Sequence, residues 1–280
     1  MLLGVTSTRT LGVGDQDWAL GVCAADPVSH VFVAARIQDG GLAGRRSAVF
    51  AFERGGERAM CWSSANVVPV GGNATALRAL AARVVKRRRF ASSVLGPSEQ
   101  VMQLWSLLAP SWGPAREVRP RQPVLTTDRL PSRCGIAIDP DVRVALPEEV
   151  DLVVPAAAAM FTEEIGYPPY RGSDTAYRRS VGGMLERGHT LVRTEEGRVI
   201  FKADLGSVAL GVAQVQGVWV DPVCRGQGLA APAMAAVVEH TLRHIAPTVT
   251  LYVNDYNLAA LATYRRVGFE QTGMFSTILL

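Results

Sequence analysis

The stretch Val218-Trp219-Val220-Asp221-Pro222-Val223-Cys224-Arg225-Gly226-Gln227-Gly228-Leu229-Ala230 joins an apolar strand to a helix through a loop opened by two glycines. Such a turn is a cradle for a pyrophosphate: Gly226 and Gly228 remove the side chains that would hold an anion away from the backbone. The helix that follows, expected from about Gln227 to His244, offers unpaired amides and the positive end of its dipole. Arg225 adds a fixed positive charge. By itself the pattern is weak, because tight turns need glycine for conformational reasons alone.

A second segment, Leu251 to Glu270, reads strand, helix, strand. Asn257 is suited to cap the helix, Ala260 and Tyr264 lie on one helical face, and Gly268 closes the helix before Phe269. Together the two segments resemble the GNAT superfamily of acyl-CoA-dependent N-acetyltransferases, over roughly residues 140–280. Arg225, Gly228 and Ala230 match that family's Arg/Gln-x-x-Gly-x-Gly/Ala motif, and Asn257, Ala260, Tyr264, Gly268 and Phe269 match its later Asn-x-x-Ala-x-x-x-Tyr-x-x-x-Gly-Phe motif.

The resemblance implies acetyl-CoA as cosubstrate, held by Val218, Trp219 and Val220 of the strand, by Arg225, Gly226, Gln227, Gly228, Leu229 and Ala230 of the cradle, and by Asn257. It implies direct acetyl transfer to a primary amine, with Tyr264 as the acid that protonates the departing thiolate. The plainer reading of Tyr264 is an aromatic ring packed into the core. The amine's proton is a harder matter: at pKa about 10.4 only about one part in a thousand is neutral near pH 7.4, a barrier of roughly 4 kcal/mol. Many relatives place a glutamate on the strand before the cradle, whereas this chain has Gln214 and Gln216 there. Glu163 and Glu164, at the end of the first helix of this half, are the carboxylates left to serve as base, against the alternative of a solvated helix end.

The expected fold is mixed α+β: tandem GNAT-like domains, residues 1–130 and 131–280, each a mostly antiparallel sheet flanked by helices. In the second half the pattern gives a strand at 142–145, helices at 147–165 and 173–187, a hairpin at 189–204, a long strand ending at Val220 and the cradle helix. In the first half it gives a strand near 7–11, helices near 15–25 and 29–37, strands at 48–53, 59–63 and 67–70, a helix at 74–88, a strand at 90–94 and a helix at 98–108 capped by Ser98. The order repeats, but the first copy has Val70-Gly71-Gly72-Asn73-Ala74 in place of the cradle, without an arginine, and Trp105 in place of the tyrosine. This copy is expected to bind no CoA. Prolines and polar residues between Pro120 and Pro140 mark the expected boundary.

Residues 1–130 carry a net charge of +7 and residues 131–280 a net charge of −3. The densest basic run, Lys86-Arg87-Arg88-Arg89, sits where a helix should end, and cations there are favoured by the dipole, so the pattern argues against nucleic acid. No apolar run reaches membrane-spanning length and no secretory leader is present, which predicts a cytoplasmic protein. Cys23, Cys61, Cys134 and Cys224 are scattered and read as reduced, and His240 and His244 lack a third ligand, so no metal is expected. The partner implied is an amine-bearing acceptor, and a homodimer stays open. Phe161, Tyr167, Tyr170 and Tyr177 cluster where an acceptor pocket or simply core would lie. A non-catalytic acyl-CoA sensor and a transferase using charged tRNA remain as alternatives.

Overall fold

The computed structural model describes residues 8–44 and 47–280, so Ser7, at the start of the expected first strand, lies outside the described residues. Strand β1 (Thr8–Thr10) is followed by helices α1 (Gln16–Cys23) and α2 (Pro27–Gln38), then by strands β2 (Ala48–Arg54), β3 (Glu57–Ser63) and β4 (Asn66–Val70). Helix α3 (Ala74–Val84), strand β5 (Ser93–Pro97), helix α4 (Ser98–Trp112) and strand β6 (Glu117–Thr127) come next. The chain continues through β7 (Arg143–Val144), α5 (Val150–Ile165), α6 (Thr175–Glu186), β8 (Thr190–Glu195), β9 (Arg198–Ala209) and β10 (Val212–Val220). It ends with α7 (Ala230–His244), β11 (Thr248–Tyr252), α8 (Leu258–Arg266) and β12 (Glu270–Leu279).

Two compact units emerge, and they are not contiguous in sequence. The first gathers the described residues up to Val124 with 252–257 and 271–280; the second gathers 125–251 and 258–270. In the first unit the strand order is β1-β2-β3-β4-β5-β12-β6, so the last strand of the chain lies beside β5, with Ser276 opposite Gly96. In the second unit the order is β11-β10-β9-β8-β7. The two series match: β1 to β4 pair antiparallel in turn and β4 to β5 parallel, while β7 to β10 pair antiparallel in turn and β10 to β11 parallel. The repeat read from the sequence is therefore a repeat of topology, and the fold is mixed α/β with mostly antiparallel sheets.

Apolar alternation explains which faces are covered. In the first unit Phe52, Cys61 and Val94 of the sheet pack with Leu80 of α3 and Val101, Leu104 and Leu108 of α4. In the second, Val192, Val199 and Trp219 pack with Val153, Val154 and Ala157 of α5 and with Leu185 of α6.

Several boundaries fall elsewhere than expected. The helix read over 74–88 stops at Val84 and tightens into a 3-10 turn over Val85–Phe90. That turn carries the basic run, whose guanidinium groups are spent within the unit: Arg87 donates to Ser63 Oγ at 3.0 Å and stacks on Phe90, and Arg88 donates to the Ala91 carbonyl at 3.2 Å. The following strand consequently begins at Ser93 instead of Phe90. Ser98 is not a cap but the first helical residue; its hydroxyl lies 2.7 Å from that of Ser276. The units change between Val124 and Leu125, within the stretch from Pro120 to Pro140, yet the chain there is strand, with Pro120 and Pro123 inside β6. Each lacks an N–H, yet their carbonyls still accept, Pro120 from the Ser276 hydroxyl at 2.7 Å and Pro123 from the Val253 amide at 3.2 Å.

Candidate active site

The cradle is built in the second unit from the end of β10 onward. Asp221 stops the strand and accepts from the Val223 amide at 3.1 Å, and Pro222–Cys224 forms a single 3-10 turn. Gly226 and Gly228 then take φ of +77° and +83°, values that L side chains rarely adopt. A Cβ placed on either would meet no atom within 4 Å, so neither glycine is there to relieve crowding by the protein itself. Their backbone instead faces open space.

Helix α7 begins at Ala230, later than the expected Gln227, and no side chain caps it. Pro232 removes one of the first-turn donors. Among the described residues the amides from Gly226 to Ala231 find no acceptor in the chain. A row of uncapped amides at a helix start, opened by two glycines, suits a diphosphate. Gln227 turns back into the loop, donating to the Val223 carbonyl at 2.8 Å.

Arg225 does not reach over the cradle. Its Nε donates to the Val220 carbonyl at 2.9 Å and its terminal nitrogen to Glu163 at 2.8 and 3.1 Å. Glu163 also accepts from the Trp219 indole at 3.3 Å. The structure thus brings together Trp219, Val220 and Arg225, all assigned to the donor side, with Glu163, assigned to the acceptor side. Arg225 ties the end of α5 to the end of β10 and sets the shape of the loop. Glu163 thus accepts from two donors while its side chain stays about half exposed.

Strand β10 is irregular where the site needs it to be. It pairs with β11 only over Val212–Gln214, and its ladder with β9 is broken between Gln216 and Trp219, leaving Gly217 and Val218 without ladder partners. Gly217 adopts φ +58°. The strand edge from Gln216 to Val220 is therefore open on the side from which β11 has departed. A bulge at such a point re-aims peptide groups.

Tyr264 sits on α8, held by the end of its own helix. The Gly268 amide donates to the Arg265 carbonyl and the Phe269 amide to the Tyr264 carbonyl, both at 3.1 Å, with Gly268 at φ +96°. This is a Schellman closure, and it needs the glycine that the sequence pattern contains. The Tyr264 ring meets Phe269 edge-on at 5.8 Å and is 7% exposed. Burial, and after it the nearby Glu164 carboxylate, push its phenol well above the usual tyrosine range. Tyr264 consequently keeps its proton throughout the neutral range. Glu164, and not Glu163, is the carboxylate placed near Tyr264.

The aromatic residues singled out in the sequence do form one group. Phe161 lies edge-on to Tyr167 and Tyr177 at 6.0 and 6.4 Å, and Tyr170 is 5.7 Å from Tyr177. The Tyr177 phenol is pushed up to about 12 by burial, then by Asp204 and Tyr170. Sequence reading missed Asp204 and its buried neighbour Lys202. The signal available was Lys202 itself, one of only two lysines in the chain, in the middle of an apolar strand.

His240 and His244 stack at 4.9 Å, with His240 half-buried; burial, and after it the neighbouring His244, lowers its pKa. Among the described residues no group of three or more His, Cys, Asp or Glu side chains is placed to hold a metal, and no helix is long and apolar enough to cross a membrane. Asn257 belongs to the first unit, so its place relative to α7 is not described.

An open glycine-lined helix start, a bulged strand and a tyrosine held by a Schellman closure all belong to the second unit. Residues 158–269 match the model of the Acetyltransferase (GNAT) family. Residues 47–153 match a domain of unknown function.

Among known proteins, the chain is similar to the mycothiol acetyltransferase of Mycobacterium avium, at 29% identity over 71% of this chain and 65% of that protein. It is also similar to a peptidyl-lysine N-acetyltransferase of Salmonella typhimurium, at 35% identity over 25% of this chain and 44% of the relative. The chain thus matches less than two thirds of the length of either relative. A tandem GNAT protein from the clavulanic acid biosynthesis pathway, determined without acetyl-CoA, shares the fold with a TM-score of 0.56 at 15% identity, covering 97% of this chain and 98% of its own.

Proposed function

We propose that the protein is an N-acetyltransferase that moves an acetyl group from acetyl-CoA directly to a primary amine. The observation that carries this reading is the helix start at Gly226–Ala230, whose amides have no acceptor in the chain and whose glycines open onto empty space. Those amides bind the diphosphate of the cosubstrate, and the open edge of β10 accepts its pantetheine arm.

Residues of the chain then divide the remaining work. An amide at the β10 bulge, where the ladder is broken, donates to the thioester oxygen, where charge develops. Tyr264, still protonated at neutral pH, gives its proton to the sulfur as the carbon–sulfur bond breaks, a contribution typically worth about 10²–10⁴ in rate. Glu164, near Tyr264, is favoured over Glu163 as the group that receives the amine's proton, through water, because Glu163 is engaged by Arg225 and Trp219.

The acceptor belongs to the amines, small or peptidyl. The Mycobacterium avium relative, a mycothiol acetyltransferase, suggests an acceptor related to mycothiol, and the Salmonella typhimurium relative a peptide lysine. The test is a turnover screen with acetyl-CoA against thiol-bearing metabolites, lysine peptides, polyamines, aminoglycosides and free amino acids. Thiol release above the hydrolytic background with one acceptor supports the reading. Tight acetyl-CoA binding without turnover on any amine would favour a sensor, the alternative that the glutamines at 214 and 216 keep open.

A further inference from the structure

Lys202 lies in the middle of β9 and is 1% exposed. Its ammonium is paired with Asp204, and Asp204 in turn accepts from the Thr190 hydroxyl at 2.8 Å. A buried pair of this kind is rarely retained for stability, because the desolvation of both ions offsets most of their attraction. The remaining contact of the lysine points to a different use. Lys202 Nζ also donates to the carbonyl of Gly217, at 3.4 Å.

Gly217 is the residue at which β10 leaves its ladder. An added Cβ there would stand 3.0 Å from Asp204 Oδ2, 3.1 Å from Met160 Cε and 3.3 Å from Lys202 Nζ. The pair and α5 thus stand close to this one residue, where φ of +58° would strain any side chain. The peptide that follows is planar and trans, so its carbonyl and its N–H point in opposite directions. With the Gly217 carbonyl held by Lys202, the Val218 N–H is turned away from the ion pair. Val218 has no ladder partner.

We infer that Lys202 is a positioning residue: through the Gly217 carbonyl it fixes the peptide plane that aims the Val218 amide at the oxygen of a bound thioester. Asp204 and Thr190 hold the ammonium in place. The inference rests on the proposed acetyl-CoA reading and deepens it, assigning the orientation of the oxyanion-binding amide to a buried ion pair on the neighbouring strand.

The test uses the full chain and acetyl-CoA labelled with ¹³C at the thioester carbonyl, read by difference infrared spectroscopy, with calorimetric titration of free CoA alongside. Wild-type protein is expected to shift the carbonyl stretch to lower frequency than in solution, as a hydrogen bond to oxygen does. In Lys202→Met the shift should be lost while the affinity for free CoA, which has no carbonyl at that point, stays within about threefold of wild type. Because Lys202→Met leaves Asp204 buried and unpaired, Lys202→Met/Asp204→Asn is measured in parallel and should behave alike.

A wild-type shift that persists in both variants, or a wild type that binds acetyl-CoA without any shift, overturns the inference. Loss of free-CoA binding in both variants would make the pair a structural support only, and overturns it too. A wild type that fails to bind acetyl-CoA at all refutes the proposed function itself, a result distinct from these.

Discussion

The two units place glycines at the start of equivalent helices and use them for opposite ends. Before α3, Gly71 and Gly72 have φ of +69° and +91°, and a Cβ on Gly72 would stand 2.7 Å from Ala59 Cβ and 2.9 Å from Ala76 Cβ. Asn73 caps the helix, accepting from the Thr75 and Ala76 amides at 2.8 and 3.2 Å. The Glu57 carboxylate closes the turn, accepting from the Asn73 amide and side chain at 2.7 and 2.6 Å. Before α7 no side chain caps the helix, and a Cβ on Gly226 or Gly228 would meet nothing within 4 Å. One turn carries its own anion and the other is left open for a foreign one. We therefore propose that the first unit binds no CoA and that its partner holds the cosubstrate alone.

The contrast can be broken first through stability. Gly72→Val forces a side chain into the Ala59–Ala76 contact at a positive φ and should lower the unfolding free energy by about 2–4 kcal/mol, read by denaturant titration. Gly228→Ala, which meets nothing, should cost only about 1 kcal/mol, from the backbone conformation. Equal losses would show the two turns to be built alike.

The next effect is on turnover. Tyr264→Phe keeps the ring against Phe269 and removes the proton, and should lower kcat at least about tenfold with little change in acetyl-CoA affinity. Full turnover in that variant would reduce Tyr264 to packing. Trp105→Tyr in the first unit should leave kcat where it is.

A smaller effect is expected at the closed turn. Glu57→Gln weakens the charge-assisted bonds to Asn73 and should cost about 1 kcal/mol, without creating a second CoA site. Appearance of CoA binding in the first unit on this change alone would mean that the carboxylate was all that kept it shut.

The smallest concerns pH. His30, buried in the first unit, has its pKa lowered by desolvation, with Asp26 and the Cys23 carbonyl opposing. The unfolded chain takes up a proton below the ordinary histidine value while the folded chain resists, so stability is lost as pH falls through about 6.5. Thermal melts from pH 7.5 to 5 should show this fall, and His30→Gln should flatten it.

Much of this was legible in local pattern. The glycine spacing from Arg225 to Ala230 and the Gly268 closure depend on positive φ, which few residues but glycine supply, so they show through without tertiary context. The repeat of element order showed for the same reason. What did not show depends on where distant strands meet. The pairing of Arg225 with Glu163 was hidden because the two lie far apart in sequence. The strand β6 did not show because prolines are read as breakers, whereas β6 uses the carbonyls of Pro120 and Pro123. Lys202 drew no notice because a lysine within a strand is ordinarily assigned to the solvent face, and its burial follows only from the pairing of β9 with a bulged β10.

The most direct test of the account is the stoichiometry of CoA binding by calorimetry, on the full chain and on Gly228→Trp. One site per chain in the wild type, and none in a folded Gly228→Trp, is the result expected from one open and one self-filled turn. Two sites per chain, or tight binding that survives in Gly228→Trp, would contradict it.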